Sequence, residues 1–140
     1  MDFKIKNLLL VITIILFTSC KDKDETRTID GNWEVISIMD QSNFEQIPNF
    51  EINLNGLKIS GFSGCNKFFG SLKIEENNLT FHQMGGTRMM CEDLTSENLF
   101  NTTIPQVKAF AFKNDNLQFL SKSDEVLMTL KSFEFVEPEY

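Results

Sequence analysis

The residues of this chain able to do covalent chemistry are few, and their settings differ. Three cysteines lie at positions 20, 65 and 91, and His82 is the single histidine. Cys20 closes an apolar run, LFTSC. Cys65 sits in the glycine-rich stretch GFSGCNKFFG and Cys91 ends TRMMC, 26 positions further on. A thiol can be acylated, oxidised to a disulfide, or bind a soft metal. A single histidine excludes a two-histidine metal site and leaves only one possible base for a Ser-His-Asp arrangement. His82 falls in LTFHQM, alternating with Phe81, which places it on the exposed face of a strand. GFSGC superficially matches a nucleophile elbow, but the spacing is wrong and no helix follows Ser63. No phosphate-binding glycine loop occurs, and the carboxylates are scattered through turns without paired spacing. Met84, Met89 and Met90 are close in sequence, and thioethers can hold soft metals. A methionine-rich edge of the core is the simpler reading. No catalytic residue, metal ligand or cofactor is expected, and the chain reads as a non-enzyme.

The first nineteen residues have the layout of an export signal. Lys4 and Lys6 form a basic start, Leu8 to Phe17 is apolar apart from Thr13, and small Thr18 and Ser19 precede Cys20. The apolar stretch is too short to span a bilayer, which takes about 20 residues. LFTSC resembles the lipobox of bacterial lipoproteins, with Phe17 a looser fit than leucine. The resemblance implies cleavage before Cys20 and lipid on its thiol and new amine. Two or three acyl chains then hold a protein on a membrane where one binds only marginally. The charged segment KDKDETRT that follows reads as a solvated tether and resembles the acidic tags that route some lipoproteins to the outer membrane face. The expected organisation is a signal peptide over 1–19, an acylated cysteine and tether over 20–30, and one domain over 31–136.

Loss of the leader removes Asp2, Lys4 and Lys6 and takes the formal charge from −7 to −8. With no basic cluster anywhere, an acidic field of this size disfavours phosphate backbones and excludes nucleic acid as an expected partner.

The folded part is a series of short alternating segments broken by turn residues. Asn32 to Met39 reads as a strand with Trp33 and Val35 on one face. Phe50, Ile52 and Leu54 alternate, and Leu57 and Ile59 resume the alternation after Asn55-Gly56, a strong signal for a hairpin with φ > 0 at both turn residues. FFGSLKI and LTFHQM flank Glu75 to Asn78, FAFK and LQFL flank Asn114 to Asn116, and SKSDE turns the chain into VLMTLKSFEF. One stretch departs from this pattern. Leu99, Phe100, Thr103, Ile104 and Val107 recur at helical spacing. Thr95 or Ser96 can cap a helix there, Glu97 suits its first turn, and Pro105 must end or kink it. These features predict a helix over about residues 96–104 and an α+β fold. The expected architecture is a curved antiparallel sheet or partly open β-barrel of about eight strands with one helix packed on it.

The order G-N-W, S-G-F-S-G-C-N-K-F-F-G, T-R-M-M-C and then a helix containing E-N-L-F resembles the META domain, or HslJ-like, family over about residues 31–130. The resemblance implies the same small α+β fold, no established catalytic residues, and a place in the bacterial envelope, often as a lipoprotein tied to stress or secretion. Two features depart from the pattern: Pro105 shortens the helix, and Gly85-Gly86 loosens the approach to Thr87. If Cys20 carries lipid outside the cytoplasm, Cys65 and Cys91 are the even pair left to form a disulfide, with two buried free thiols as the alternative. Asn66, Thr87 and Arg88 are the remaining candidates. Asn66 would structure its turn through a left-handed backbone or a side-chain cap, or bind a ligand. Arg88 would bind a carboxylate or form a surface ion pair. The expected function is that of an envelope lipoprotein, on the outer membrane, acting through contact with another envelope protein. The alternative is a lipid or other apolar ligand held in a half-open barrel.

Overall fold

The computed structural model describes residues 27–134. The expected signal peptide, Cys20 and most of the expected tether lie outside these residues. Eight strands run β1 (Gly31–Ile38), β2 (Asn49–Asn53), β3 (Lys58–Phe62), β4 (Lys67–Glu75), β5 (Asn78–Gly86), β6 (Ala109–Lys113), β7 (Asn116–Leu120) and β8 (Val126–Ser132). Each pairs antiparallel with its neighbour in sequence, and β8 returns to β1, so the sheet closes into a ring. The closure is uneven. The β5–β6 seam holds by one residue pair, Asn78 with Ala109, flanked by backbone bonds from Leu79 to Lys108 and from Phe110 to Asn77. Residues 87–108 leave the sheet between these strands, and they carry the helix α1 (Thr95–Thr103) and a 3₁₀ turn (Ile104–Gln106). The ring is therefore formally closed but nearly open at the place where the helix interrupts the meander.

Strand alternation fills the interior. Trp33, Val35, Phe50, Ile52, Ile59, Leu117, Phe119 and Leu130 are all buried. Burying each large apolar side chain contributes about 1.5–3 kcal/mol. Trp33 also satisfies its indole by donating to the Ile29 carbonyl at 2.8 Å. The rings meet at the centre, where Phe50 lies 5.9 Å from Phe100, 6.1 Å from Phe68 and 6.1 Å from Phe119. Gly61 lets β2 and β3 approach: a Cβ there would fall 2.2 Å from the Asn49 carbonyl oxygen and 2.5 Å from Phe50 Cα. Both are backbone atoms, so nothing flexible can yield. Gly61→Ala is expected to cost about 2 kcal/mol by overpacking, read as a lower urea midpoint.

Several local expectations change. The β2–β3 hairpin exists, but neither Asn55 nor Gly56 takes a positive φ; Leu57 does, at 50°. Asn53 pairs with Lys58, which leaves a loop of residues 54–57, and the Asn53 side chain ties it by accepting from the Gly56 N–H at 2.8 Å. Leu57 is consequently exposed in the loop rather than part of the alternation. Gly85 and Gly86 lie within β5, opposite Phe69 and Phe68, and do not loosen a turn. Helix α1 begins at Thr95 and ends at Thr103, with Pro105 inside the 3₁₀ turn where its missing N–H does no harm. Neither Thr95 nor Ser96 caps it through a side chain. Asp93 Oδ1 instead accepts from the Thr95 N–H at 2.8 Å. Hydrogen bonding from Thr95, side chain first and then backbone, holds the Asp93 carboxyl below its ordinary range. The sign is the usual carboxylate one: Asp93 favours the fold above its unfolded-state pKa, and that contribution is lost as pH falls through its lower folded value.

Candidate functional site

Two turns and the start of the helix meet at one end of the ring. The β3–β4 connection carries Ser63 to Asn66, the segment after β5 carries Thr87 to Cys91, and α1 presents Ser96 and Glu97 beneath both. Cys65 and Cys91 are joined as a disulfide, with their Cα atoms 6.0 Å apart. Gly64 makes the first turn possible. Its φ is +118°, and a Cβ would fall 2.1 Å from Ser96 Oγ, so the turn lies directly on the helix. Ser96, Phe100 and Thr103 form the buried face of α1, and the Phe100 ring packs tilted at 46° with its centroid 4.7 Å from that of Phe68.

Asn66 is the centre of the junction. It is buried and uses its whole polar inventory internally. Its backbone N–H donates to Glu97 Oε2 at 2.8 Å, and its Nδ2 donates to Glu97 Oε1 at 3.0 Å and Oε2 at 3.1 Å. Its Oδ1 accepts from Thr87 Oγ1 at 2.8 Å and from the Met89 N–H at 2.6 Å. Its carbonyl accepts from the Ser63 N–H at 2.9 Å and Ser63 Oγ at 3.0 Å. Thr87 completes the connection, its Oγ1 accepting from the Lys67 N–H at 3.1 Å while its own N–H donates to the Lys67 carbonyl at 2.9 Å. One amide thus binds the two disulfide-linked turns to the helix. No polar atom of Asn66 is left over for a ligand.

Asn66 and Thr87, separate candidates in the sequence, meet in the structure, and Asn66 orders its turn differently from expectation. Asn66 has no left-handed backbone, since Gly64 supplies the positive φ. Its partner, Glu97, is not among the sequence candidates for the site. The only sequence signal for it was its place in E-N-L-F, which the helix dipole already accounted for. Arg88 stands apart. It is exposed and, among the described residues, forms no ion pair. The methionines also differ from expectation: Met89 is 55% exposed and Met90 96%, so they edge the surface and not the core. His82 is exposed, and its Nε2 hydrogen-bonds Thr80 Oγ1 at 2.9 Å.

Beside the clamp lies a cleft of about 470 Å³ between the ends of β4 and β5 and the helix. Lys67, Phe69, Met84, Arg88, Glu97 and Asn101 line it.

An eight-stranded antiparallel ring, interrupted once by a helix that is tied to two cysteine-bearing turns, defines a class of small α+β domain. A family model for the META domain matches residues 26–134, and the chain belongs to that family. No curated protein matches it. Among solved structures it is similar to an NMR structure of a protein from Burkholderia xenovorans, with 20% identity and a TM-score of 0.57, covering 73% of this chain and 81% of that one. A second NMR structure has 23% identity and the same TM-score of 0.57, covering 72% of this chain and 87% of that one. At these identities the likeness concerns the fold.

Proposed function

We propose that this META-domain protein is a non-enzymatic lipoprotein of the bacterial envelope, lipid-anchored through Cys20, that supports envelope integrity or stress tolerance by contact with another protein. The Cys65–Cys91 disulfide carries the reading. Such bonds persist outside the cytoplasm, which agrees with the export layout of residues 1–19 and the lipobox ending at Cys20. The placement of the protein on the outer membrane rests on the likeness of the charged segment KDKDETRT, after Cys20, to the tags that follow the lipidated cysteine of some outer-membrane lipoproteins. The saturated Asn66 favours a clamp over a reaction centre. The packed phenylalanines favour contact over an apolar ligand inside the ring, because the interior that would receive such a ligand is filled by Phe50, Phe100 and Phe119.

Photo-crosslinking from the surface of the domain in intact cells, paired with a deletion strain under envelope stress, tests this. A discrete crosslinked partner and a stress phenotype that Cys20→Ala fails to rescue are expected. Recovery of no partner together with an unchanged stress response would contradict it.

A further inference from the structure

An up-and-down ring puts alternate connections at alternate ends. The β2–β3, β4–β5 and β6–β7 turns therefore share one end with the start of β1 and the close of β8. Residues 39–48, 63–66, 87–94 and 121–125 gather at the other end, which carries the disulfide. The chain enters at the first of these ends and is tied down there. Arg27 donates from Nη1 to the Asn114 carbonyl and lies 5.9 Å from the centroid of the Phe112 ring. Asp30 Oδ1 accepts from the Leu54 N–H at 2.7 Å, and Ile29 between them is buried. Seven residue steps separate Cys20 from Arg27, a reach of at most about 25 Å. Strand β1 alone, with 8 residues, is about 26 Å long. A lipid on Cys20 thus draws the β2–β3, β4–β5 and β6–β7 turns toward the bilayer. Seating the disulfide end there would demand a tether pulled almost straight along the body of the domain.

Exposed apolar side chains are distributed unevenly between the two ends. Met39, Ile47, Met89, Met90, Leu94 and Val126 are exposed on or beside the turns of the disulfide end. Among the described residues, Leu57 alone is a large exposed apolar group on a turn of the other end. The turns of the disulfide end also adjoin one another. The Met39 N–H donates to the Leu127 carbonyl at 2.8 Å, which joins the β1–β2 loop to the start of β8. Further along the same loop, Glu45 and Gln46 share a cleft of about 200 Å³ with Cys65, Cys91, Glu92 and Asp93. The disulfide and Asn66 hold two of these turns to the helix, so this end is preorganised. Its rim is acidic: Asp40, Glu45, Glu92, Asp124 and Glu125 are exposed there, against Arg88 and Lys122.

Resting on the lipid-anchor and protein-contact reading above, we infer that the disulfide end points away from the membrane and receives the partner protein, on an apolar patch rimmed by lysine or arginine. The place of the anchor decides between the two occupants that exposed apolar turns can have. On the tethered end they would enter the lipid interface; on the far end they meet protein. The acidic rim acts in the same direction, since it repels anionic headgroups and favours a basic surface.

Two measurements on the full acylated chain test this. The first places the isotope-labelled protein in phosphatidylcholine nanodiscs that contain a gadolinium-chelating lipid. Amides of residues 54–57, 76–77 and 114–115 should lose signal by paramagnetic relaxation, and those of 39–48, 63–66 and 121–125 should keep it. The second is photo-crosslinking in intact cells. A crosslinking residue in place of Gln46 or Ser123 should capture the same other protein, and one in place of Asn55 should not. Ile47→Asp should cut that capture about 10-fold or more. Leu57→Asp is the matched control at the tethered end, since Leu57 is 45% exposed and Ile47 44%, and it should leave the yield unchanged. Met90→Asp, at a side chain too exposed to matter to folding, should lower capture as Ile47→Asp does. Signal loss at 39–48 and 121–125, a crosslinked product made of two copies of this chain, or capture indifferent to both Ile47→Asp and Met90→Asp overturns the inference. Capture from Asn55 alone overturns this surface and leaves the contact reading standing. Capture from no position removes both, and a chain recovered without acyl groups removes the anchor reading and this orientation with it.

Discussion

Replacing Cys65 and Cys91 together by serine is expected to lower the unfolding free energy by about 3.5 kcal/mol. The bond links residues separated by 26 positions, and closing a loop of that length restricts the unfolded chain by about that amount. Domains of this size are stable by about 5–15 kcal/mol, so the loss is a large share of the total. The midpoint of thermal unfolding should fall by roughly 15–25 °C, at about 4–8 °C per kcal/mol for a domain near this length. Urea titration of oxidised protein, reduced protein and double variant separates the causes. Reduced protein and double variant should agree, because the effect belongs to the covalent link and not to sulfur packing. A loss under about 1 kcal/mol would mean that Asn66 alone fixes the two turns and that the unfolded chain keeps them together.

The second large effect is expected from Asn66→Asp, a change of one atom in shape. The native amide gives Nδ2–H to both oxygens of Glu97 at 3.0 and 3.1 Å. An aspartate offers no donor and places a second carboxylate against the first in a largely enclosed junction. Lost hydrogen bonds to a charged group and the new repulsion together should cost about 3 kcal/mol. The penalty should ease on acidification, since like charges raise one folded-state pKa and a shared proton removes the repulsion. Adding Glu97→Gln restores a donor toward position 66, so Asn66→Asp in that background should cost only about 1 kcal/mol. A double-mutant cycle in urea reads the difference as coupling. Additive costs would mean that the Asn66–Glu97 contact does not hold the turns to the helix.

Much of the fold was legible because strand alternation and turn residues are local signals. Phe50 and Ile52, or Trp33 and Val35, announce a buried face within a few residues. Pro105 ended the helix because its chemistry allows little else there. The near-open seam had a trace in sequence too, since residues 87–108 carry a helical rather than an alternating pattern. The Asn55-Gly56 signal does not fix the turn because register decides turn geometry: once Asn53 pairs with Lys58, the loop is two residues longer than Asn-Gly alone requires. The site was legible only in part. Cys65, Cys91, Asn66 and Thr87 lie in recognisable turns, but Glu97 reaches Asn66 across 31 positions, and no local pattern encodes that contact. The methionines read as an edge of the core because residue type predicts burial only on average. Met84 does pack beside Gly70 at the edge of the core, but Met89 and Met90 fall in the exposed segment after β5.

The most direct measurement is the intact mass of the protein extracted from cell membranes without reductant. An exported, lipid-held, internally bridged molecule should begin at Cys20, carry the added mass of its acyl chains, and gain two hydrogens on reduction. Recovery from the soluble fraction of an unacylated chain still beginning at Met1, with no mass change on reduction, would contradict the account.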